Sequence, residues 1–405
     1  MKANKFTHII GSISRTLLAI TFLFSGFVKA VDPLGTVYKI EDYLKAFGGW
    51  CNDLLPYAGI AAVCLIALEF LLGVCLLTNV RTKWTSWLTL LFMLVMTPLT
   101  LWIALTNPVS DCGCFGDALV LTNWQTFYKN LVLLVLVIIL LCCQKAIPQT
   151  FSWWMELVIA VLGLGIAGGM MYYSYTHLPP MDFRPYKIGN YLPELMEIPE
   201  EYVSDTTIVT LTYEKNGIEQ QFDIFNYPKN DPEWRFVDQN TILAKKIYQN
   251  GKLKGVTPVK EYTPPIHDFE IENYYIDEPI EYIQNSEYGE FPTEGNLMEY
   301  ILYSMNPITL VIMYDLNKTD RKQIDKLRNI IHNRSDVYFI TGSGEDEIYE
   351  FAEELGWDEE TTLSTFCYCE PVTLKTIVRA NPGLVIIQNG TVMEKKNFRQ
   401  VEFEY

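Results

Sequence analysis

Five stretches of this chain are apolar for about 20 residues at a time, the length an α-helix needs to cross a bilayer with its backbone amides bonded internally. They run over residues 9–30, 54–77, 84–105, 127–143 and 153–173. Trp50, Tyr57, Trp84, Trp124, Tyr128, Trp153 and Trp154 stand near their ends, where amphipathic rings sit at the interface between lipid and water. Pro98, inside the third stretch, is tolerable in a bundle and predicts a kink.

Charge divides the chain near residue 176. The first 176 residues hold 10 Lys and Arg against 8 Asp and Glu, whereas the remainder holds 21 against 40, within a total net charge of −17. An apolar half is therefore joined to an acidic, water-facing half. Without a basic footprint, nucleic-acid binding is excluded.

The loop charges alternate. Lys2, Lys5, Arg81, Lys83 and Lys145 occupy the N-terminus and the second and fourth connections, while Asp32, Glu41, Asp42, Asp53, Asp111 and Asp117 occupy the first and third. The positive-inside rule then predicts a multi-pass membrane protein with a cytoplasmic N-terminus and the acidic region outside. A cleaved signal peptide ending near Val28-Lys29-Ala30 is the competing reading; Arg15 and the length of the apolar run favour an anchor.

Two charges lie within the spans. Glu69 and Arg15 come out at comparable depths, about 12 Å and about 9 Å from one membrane edge at 1.5 Å per residue, if the second span ends level with the start of the first. An intramembrane ion pair between Arg15 and Glu69 is expected on that basis; the bland alternative is an Arg15 that snorkels to the headgroups and a protonated Glu69. Lys29 and Glu156, near span ends, are expected to snorkel.

Nine cysteines occupy three kinds of place. Cys64, Cys75, Cys142 and Cys143 lie in spans as apolar side chains, and Cys51 precedes the second span. Two pairs have C-x-C spacing: Cys112-Gly113-Cys114 in the third connection and Cys367-Tyr368-Cys369 in the acidic half. A single spacer residue is poor for a relaxed structural bridge and suits exchange chemistry. Cys112 and Cys114 are therefore the leading redox candidates, with Cys367 and Cys369 as weaker ones; a bridge to Cys51 or a pair of plain thiols are the bland readings. Zinc is disfavoured and no metal site is expected, since the chain has four histidines and no second C-x-C in that loop. Asp111 and Asp117 flank the first pair, and nearby carboxylates raise a thiol pKa and slow thiolate attack.

The stretch Phe24-Ser25-Gly26-Phe27-Val28-Lys29-Ala30-Val31-Asp32-Pro33, the Glu69/Gly73 span and the loop Cys112-Gly113-Cys114-Phe115-Gly116 resemble the DoxX/MauE superfamily over about residues 7–145. The resemblance implies a four-helix redox-associated core in a bacterial inner membrane, with the acidic region in the periplasm. It also implies, as expectations only, a link to quinone and to maturation of disulfide-containing partners of the methylamine-utilisation kind. No cofactor is evident from the residues themselves.

In the acidic half, Asn216-Gly217 and Asn250-Gly251 are hairpin-turn signals between alternating runs, predicting a small β-rich module. From Pro307 onward the pattern becomes strand 308–314, helix 321–332, strand 337–341, helix 345–355, a short helix at 374–379, then strands 384–388 and 391–395 about Asn389-Gly390. This order resembles the thioredoxin-like fold over about residues 262–400, with Pro382 as the cis-proline candidate. The usual C-x-x-C is absent, because the place after the first core strand reads Leu316-Asn317-Lys318-Thr319-Asp320.

The expected architecture is a membrane α-helical bundle, 1–145 as a four-helix core and 146–176 as a fifth transmembrane helix. A soluble β-rich module at 177–260 and an α/β thioredoxin-like domain at 261–405 follow. The expected role is envelope thiol–disulfide exchange with periplasmic thiol or disulfide proteins. The alternative is a non-enzymatic envelope scaffold; a transporter using Arg15 and Glu69 ranks below both.

Overall fold

The computed structural model describes residues 5–109, 111–229, 231–249, 252–273, 297–333 and 336–402. The chain forms two compact units, one of residues 1–190 with 270–405 and the other of residues 191–269.

The larger unit begins with α1 (Lys5–Val31). Asp32 ends it and caps α2 (Pro33–Phe47), accepting from the Gly35 amide at 3.0 Å, with Pro33 in the first turn where no amide donor is needed. α2 lies in the first connection between spans, a stretch too short and too polar to carry a span signal. A 3-10 segment, Gly49–Tyr57, leads into α3 (Ala58–Thr78), which stops at Asn79 in the left-handed region. α4 (Thr82–Thr106), α5 (Asn123–Cys143) and α6 (Trp153–Thr176) follow, with Pro98 inside α4 and a Thr122/Gln125 capping box opening α5. α1, α3, α4, α5 and α6 are long and apolar enough to cross a membrane.

α1 and α3 approach closely because glycine faces backbone at two places. A Cβ on Gly26 would lie 2.6 Å from the Phe70 nitrogen, and one on Gly73 would lie 2.5 Å from the Leu23 nitrogen. This register sets Glu69 level with residues 25–29 of α1 and well away from Arg15. The expected Arg15–Glu69 pair is therefore absent. Glu69 pairs instead with Lys29 at 2.7 Å, both side chains buried. Arg15 donates to the Leu77 carbonyl at 2.9 Å and to that of Leu76, oxygens left open at the end of α3. The depth estimate failed because it aligned the span edges rather than the packed glycines. Lys29 does not snorkel, and Glu156 is held by Arg81 at 2.9 Å.

The smaller unit contains α7 (Leu192–Met196) and an antiparallel sheet in the order β2-β1-β3-β4. Its strands are β1 (Thr206–Lys215), β2 (Ile218–Asp223), β3 (Arg235–Gln249) and β4 (Lys252–Pro258). Asn216 and Gly217, at φ 56° and 77°, make the β1–β2 turn expected of that dipeptide. Asn250-Gly251 lies outside the described residues.

The chain then returns to the larger unit through α8 (Met298–Tyr303), β5 (Ile308–Met313), α9 (Ile324–Asn333), β6 (Val337–Thr341), α10 (Glu345–Leu355), α11 (Glu359–Thr365), β7 (Phe366–Tyr368), α12 (Pro371–Ile377), β8 (Gly383–Gln388) and β9 (Thr391–Asn397). These strands make a sheet in the order β7-β6-β5-β8-β9, with β5, β6 and β7 parallel and β8 and β9 antiparallel to their neighbours. β5 is buried along its whole length, as a central strand covered on both faces should be. The Asn381–Pro382 peptide bond is cis. The short β7, unmarked in the sequence reading, carries Cys367.

Candidate functional site: a dithiol loop at the end of the helical bundle

The connection between α4 and α5 reverses through Gly113 and Gly116, at φ 63° and 51°. Side chains are strained at such angles, and a Cβ on Gly113 would also meet Lys39 Cγ at 2.9 Å. The turn brings the Cys112 and Cys114 sulfurs within 3.1 Å. Cys112 is buried and Cys114 half-buried.

Three elements hold this loop. From α2, the Tyr43 hydroxyl donates to the Cys112 carbonyl at 2.5 Å, and Lys39 pairs with Asp111 at 2.7 Å. From α1, the Ser25 hydroxyl lies 2.7 Å from the Cys114 carbonyl and 2.8 Å from Glu69 Oε2, and it accepts from Lys29 Nζ at 3.1 Å. From the α/β part, Arg379 reaches Asp117 at 2.9 Å and Asp32 at 2.8 Å, and also donates to the Lys375 carbonyl. Lys129 of α5 lies 4.3 Å from the centre of the Phe115 ring, within cation–π range.

The two aspartates expected to suppress thiolate formation are thus each paired to a cation. The hydrogen bond shared by the two sulfurs draws the Cys114 thiol down to about 6; burial opposes this, and the charges of Lys129 and Lys29 add to it. Cys112 is pushed upward by the same hydrogen bond and by burial. The two sulfurs share one hydrogen bond, and their shifts have opposite directions, an asymmetry that C-x-C spacing alone does not contain.

The loop has two different sides. Cys114 lines a small cavity of about 30 Å³ in the bundle, beside Phe22, Glu69, Met93, Met96 and Lys129. The opposite side, at Gly113 and Gly116, lines a cleft of about 250 Å³ bordered by Asp42, Lys39, Lys375 and Arg379.

Cys367 and Cys369 are placed elsewhere. They are 0% and 1% exposed in the sheet region of the α/β part, and burial pushes the Cys367 thiol up. Burial that raises a thiol pKa disfavours its thiolate, so the surroundings of Cys367 are those of a packed apolar side chain. Asn381 and cis-Pro382 face the turn after β5: Asn381 Nδ2 donates to the Asp315 carbonyl at 2.8 Å, and the Asp320 amide donates to the Asn381 carbonyl at 3.2 Å. That turn meets α2, where the Tyr314 and Tyr38 rings pack edge to face at 6.0 Å. Lys29, Ser25, Tyr43 and Arg379 were not singled out as site residues by sequence reasoning. The Ser25-to-Lys29 spacing, four residues apart on one helix face, was the available signal for the first two.

Long apolar helices and a cysteine loop held at their end define a multi-pass membrane protein with a built dithiol site. Residues 7–143 match the family model described as methylamine utilisation protein MauE, so the dithiol loop and four of the five long helices fall within it. Residues 207–246, in the smaller unit, match a domain of unknown function, DUF8463. No curated protein and no solved structure matches the chain.

Proposed function

We propose that Cys112 and Cys114 form a redox dithiol that exchanges with cysteine pairs of envelope proteins, on the membrane side that carries the α/β part. The observation that carries this reading is the 3.1 Å approach of the Cys112 and Cys114 sulfurs, with Cys114 a half-buried residue, in a loop whose carboxylates are paired to cations. In the oxidised form, a partner thiolate attacks the Cys114 sulfur. The Cys112–Cys114 bond breaks, and Cys112 leaves and takes a proton. A second partner thiolate then displaces Cys114, which departs readily as the lower-pKa thiolate. Two electrons pass from the partner to the loop; of the two protons the partner thiols give up, one goes to Cys112 and the other to water, because Cys114 stays a thiolate at neutral pH. A lipid-soluble quinone that accepts both electrons would restore the disulfide; the resemblance to the DoxX/MauE superfamily supports that acceptor.

The α/β part is read as a thioredoxin-like domain that lacks the usual C-x-x-C and has a binding role. Sheet order, the cis Asn381–Pro382 bond and the cysteine-free turn at 316–320 support this. Its Arg379 holds the loop from above. The basic residues of the second and fourth connections favour the periplasm of a bacterial inner membrane for this side. In cells, Cys112→Ser is expected to accumulate a mixed disulfide on Cys114 that Cys112→Ser/Cys114→Ser lacks. Absence of any adduct, with both thiols reduced in an oxidising medium, would replace this role with that of an envelope scaffold.

A further inference from the structure

The buried pair within the bundle is joined to the dithiol loop by one hydroxyl. Lys29 Nζ lies 2.8 and 2.7 Å from the two Glu69 oxygens, and it also donates to Ser25, whose oxygen is 2.7 Å from the Cys114 carbonyl. Ser25 has one proton, so it serves either the carboxylate or the loop carbonyl at a given moment. Lys29 already satisfies Glu69, which frees that proton for Cys114. Such a pair is costly to bury and stabilises little by itself, so its contact with the loop asks for a functional account.

We propose that Lys29, Glu69 and Ser25 are positioning residues for Cys114: they fix its backbone and set its reactivity from inside the membrane. This rests on the dithiol reading above. Ser25 anchors the carbonyl, and the pair places one cation and one carboxylate near the sulfur with opposite effects. Lys29 favours the Cys114 thiolate and Glu69 disfavours it. The other charged or titratable groups around the loop are Cys112, Tyr43 of α2, Lys129 of α5, Asp111 with Lys39, and Asp117 with Arg379. These do not change when the pair is altered, so the two halves of the pair are separable by experiment.

The full chain in membranes is first reduced with dithiothreitol and freed of it, then treated with iodoacetamide between about pH 5 and pH 9, and alkylation is read at Cys112 and Cys114 by peptide mass spectrometry. Lys29→Gln should move the Cys114 profile to higher pH and Glu69→Gln should move it to lower pH; a displacement of one pH unit is about a tenfold rate change below the pKa. Lys29→Arg should restore the wild-type profile. A purely structural role would shift both variants in one direction, or neither, and would overturn the proposal. Ser25→Ala leaves the ion pair in place and reports even where the charge variants do not accumulate. It should erode the preference for Cys114 over Cys112 several-fold, and an undiminished preference counts against the proposal. Alkylation reads ionisation whether or not exchange occurs. Normal profiles without a trapped partner would therefore sink only the exchange role, and profiles blind to both charges would sink only this inference.

Discussion

Two C-x-C pairs in one chain have met opposite fates. Cys112 and Cys114 sit in a glycine turn at the end of the bundle, with the charges of Lys129 and Lys29 acting on Cys114, itself a half-buried residue. Cys367 and Cys369 sit in and beside β7, where the backbone is bonded into the sheet: the Cys369 amide donates to the Thr341 carbonyl at 3.0 Å. Spacing is the same, and the environment decides the chemistry. A thiol becomes a nucleophile where its anion is stabilised and reachable, and it becomes a small apolar side chain where neither holds.

The sharpest way to break this contrast is substitution of each pair. Cys112→Ser and Cys114→Ser should each abolish steady-state exchange, measured as oxidation of a dithiol peptide by membranes. Cys367→Ser should leave exchange in place and destabilise the α/β part by about 1–3 kcal/mol, because a hydroxyl is buried without its water. Retained exchange in Cys114→Ser, or its loss in Cys367→Ser in protein that accumulates normally, would reverse the assignment.

A second comparison concerns the charges under the loop. Lys29→Ala should destabilise the bundle by about 3–5 kcal/mol, since it strands Glu69. The Lys29→Ala/Glu69→Ala double variant should be less damaging than the sum of the singles, read as residual fold after heating in detergent. Arg15 and Glu69, which do not meet, should give additive losses. Coupling between Arg15 and Glu69 would restore the pairing expected from span edges and contradict the packed register.

Smaller effects follow from the clamp and from ionisation. Arg379→Gln leaves Asp32 and Asp117 without their shared cation, so hydrogen exchange at the amides of residues 113–117 should quicken; unchanged protection would show that the loop is held without the α/β part. For Cys114 the folded pKa lies below the ordinary value. Its stabilisation is therefore present above about pH 9 and lost as pH falls through about 6. The reduced protein should lose stability on acidification across that window relative to the disulfide form, whose Cys114 has no proton to take up. Parallel pH profiles for the two forms would mean that the thiol is not perturbed.

The helical spans were legible because hydropathy over a bilayer length is a strong signal, and the loop pair was legible because cysteines at that spacing are few. The order of the α/β part was legible from strand and helix periods; β7 is three residues long, too short to show a period. α2 escaped because a short amphipathic helix between spans has neither signal. The Lys29–Glu69 contact escaped because helix register is fixed by the glycines at 26 and 73, and depth counted from span edges does not contain that information. The role of Arg379 escaped for a related reason: its two carboxylate partners are hundreds of residues away in the chain, and long-range ion pairs leave no local pattern.

The central claim is that Cys112 and Cys114 cycle as a unit. It is tested most directly by equilibrating the full chain in membranes with dithiothreitol buffers of graded oxidation and counting free thiols at each site by differential alkylation. The account predicts that both thiols disappear together in one two-electron transition, with Cys367 and Cys369 reduced throughout. Cys112 and Cys114 remaining free across the whole range, or a bridge from either to Cys51, would contradict it.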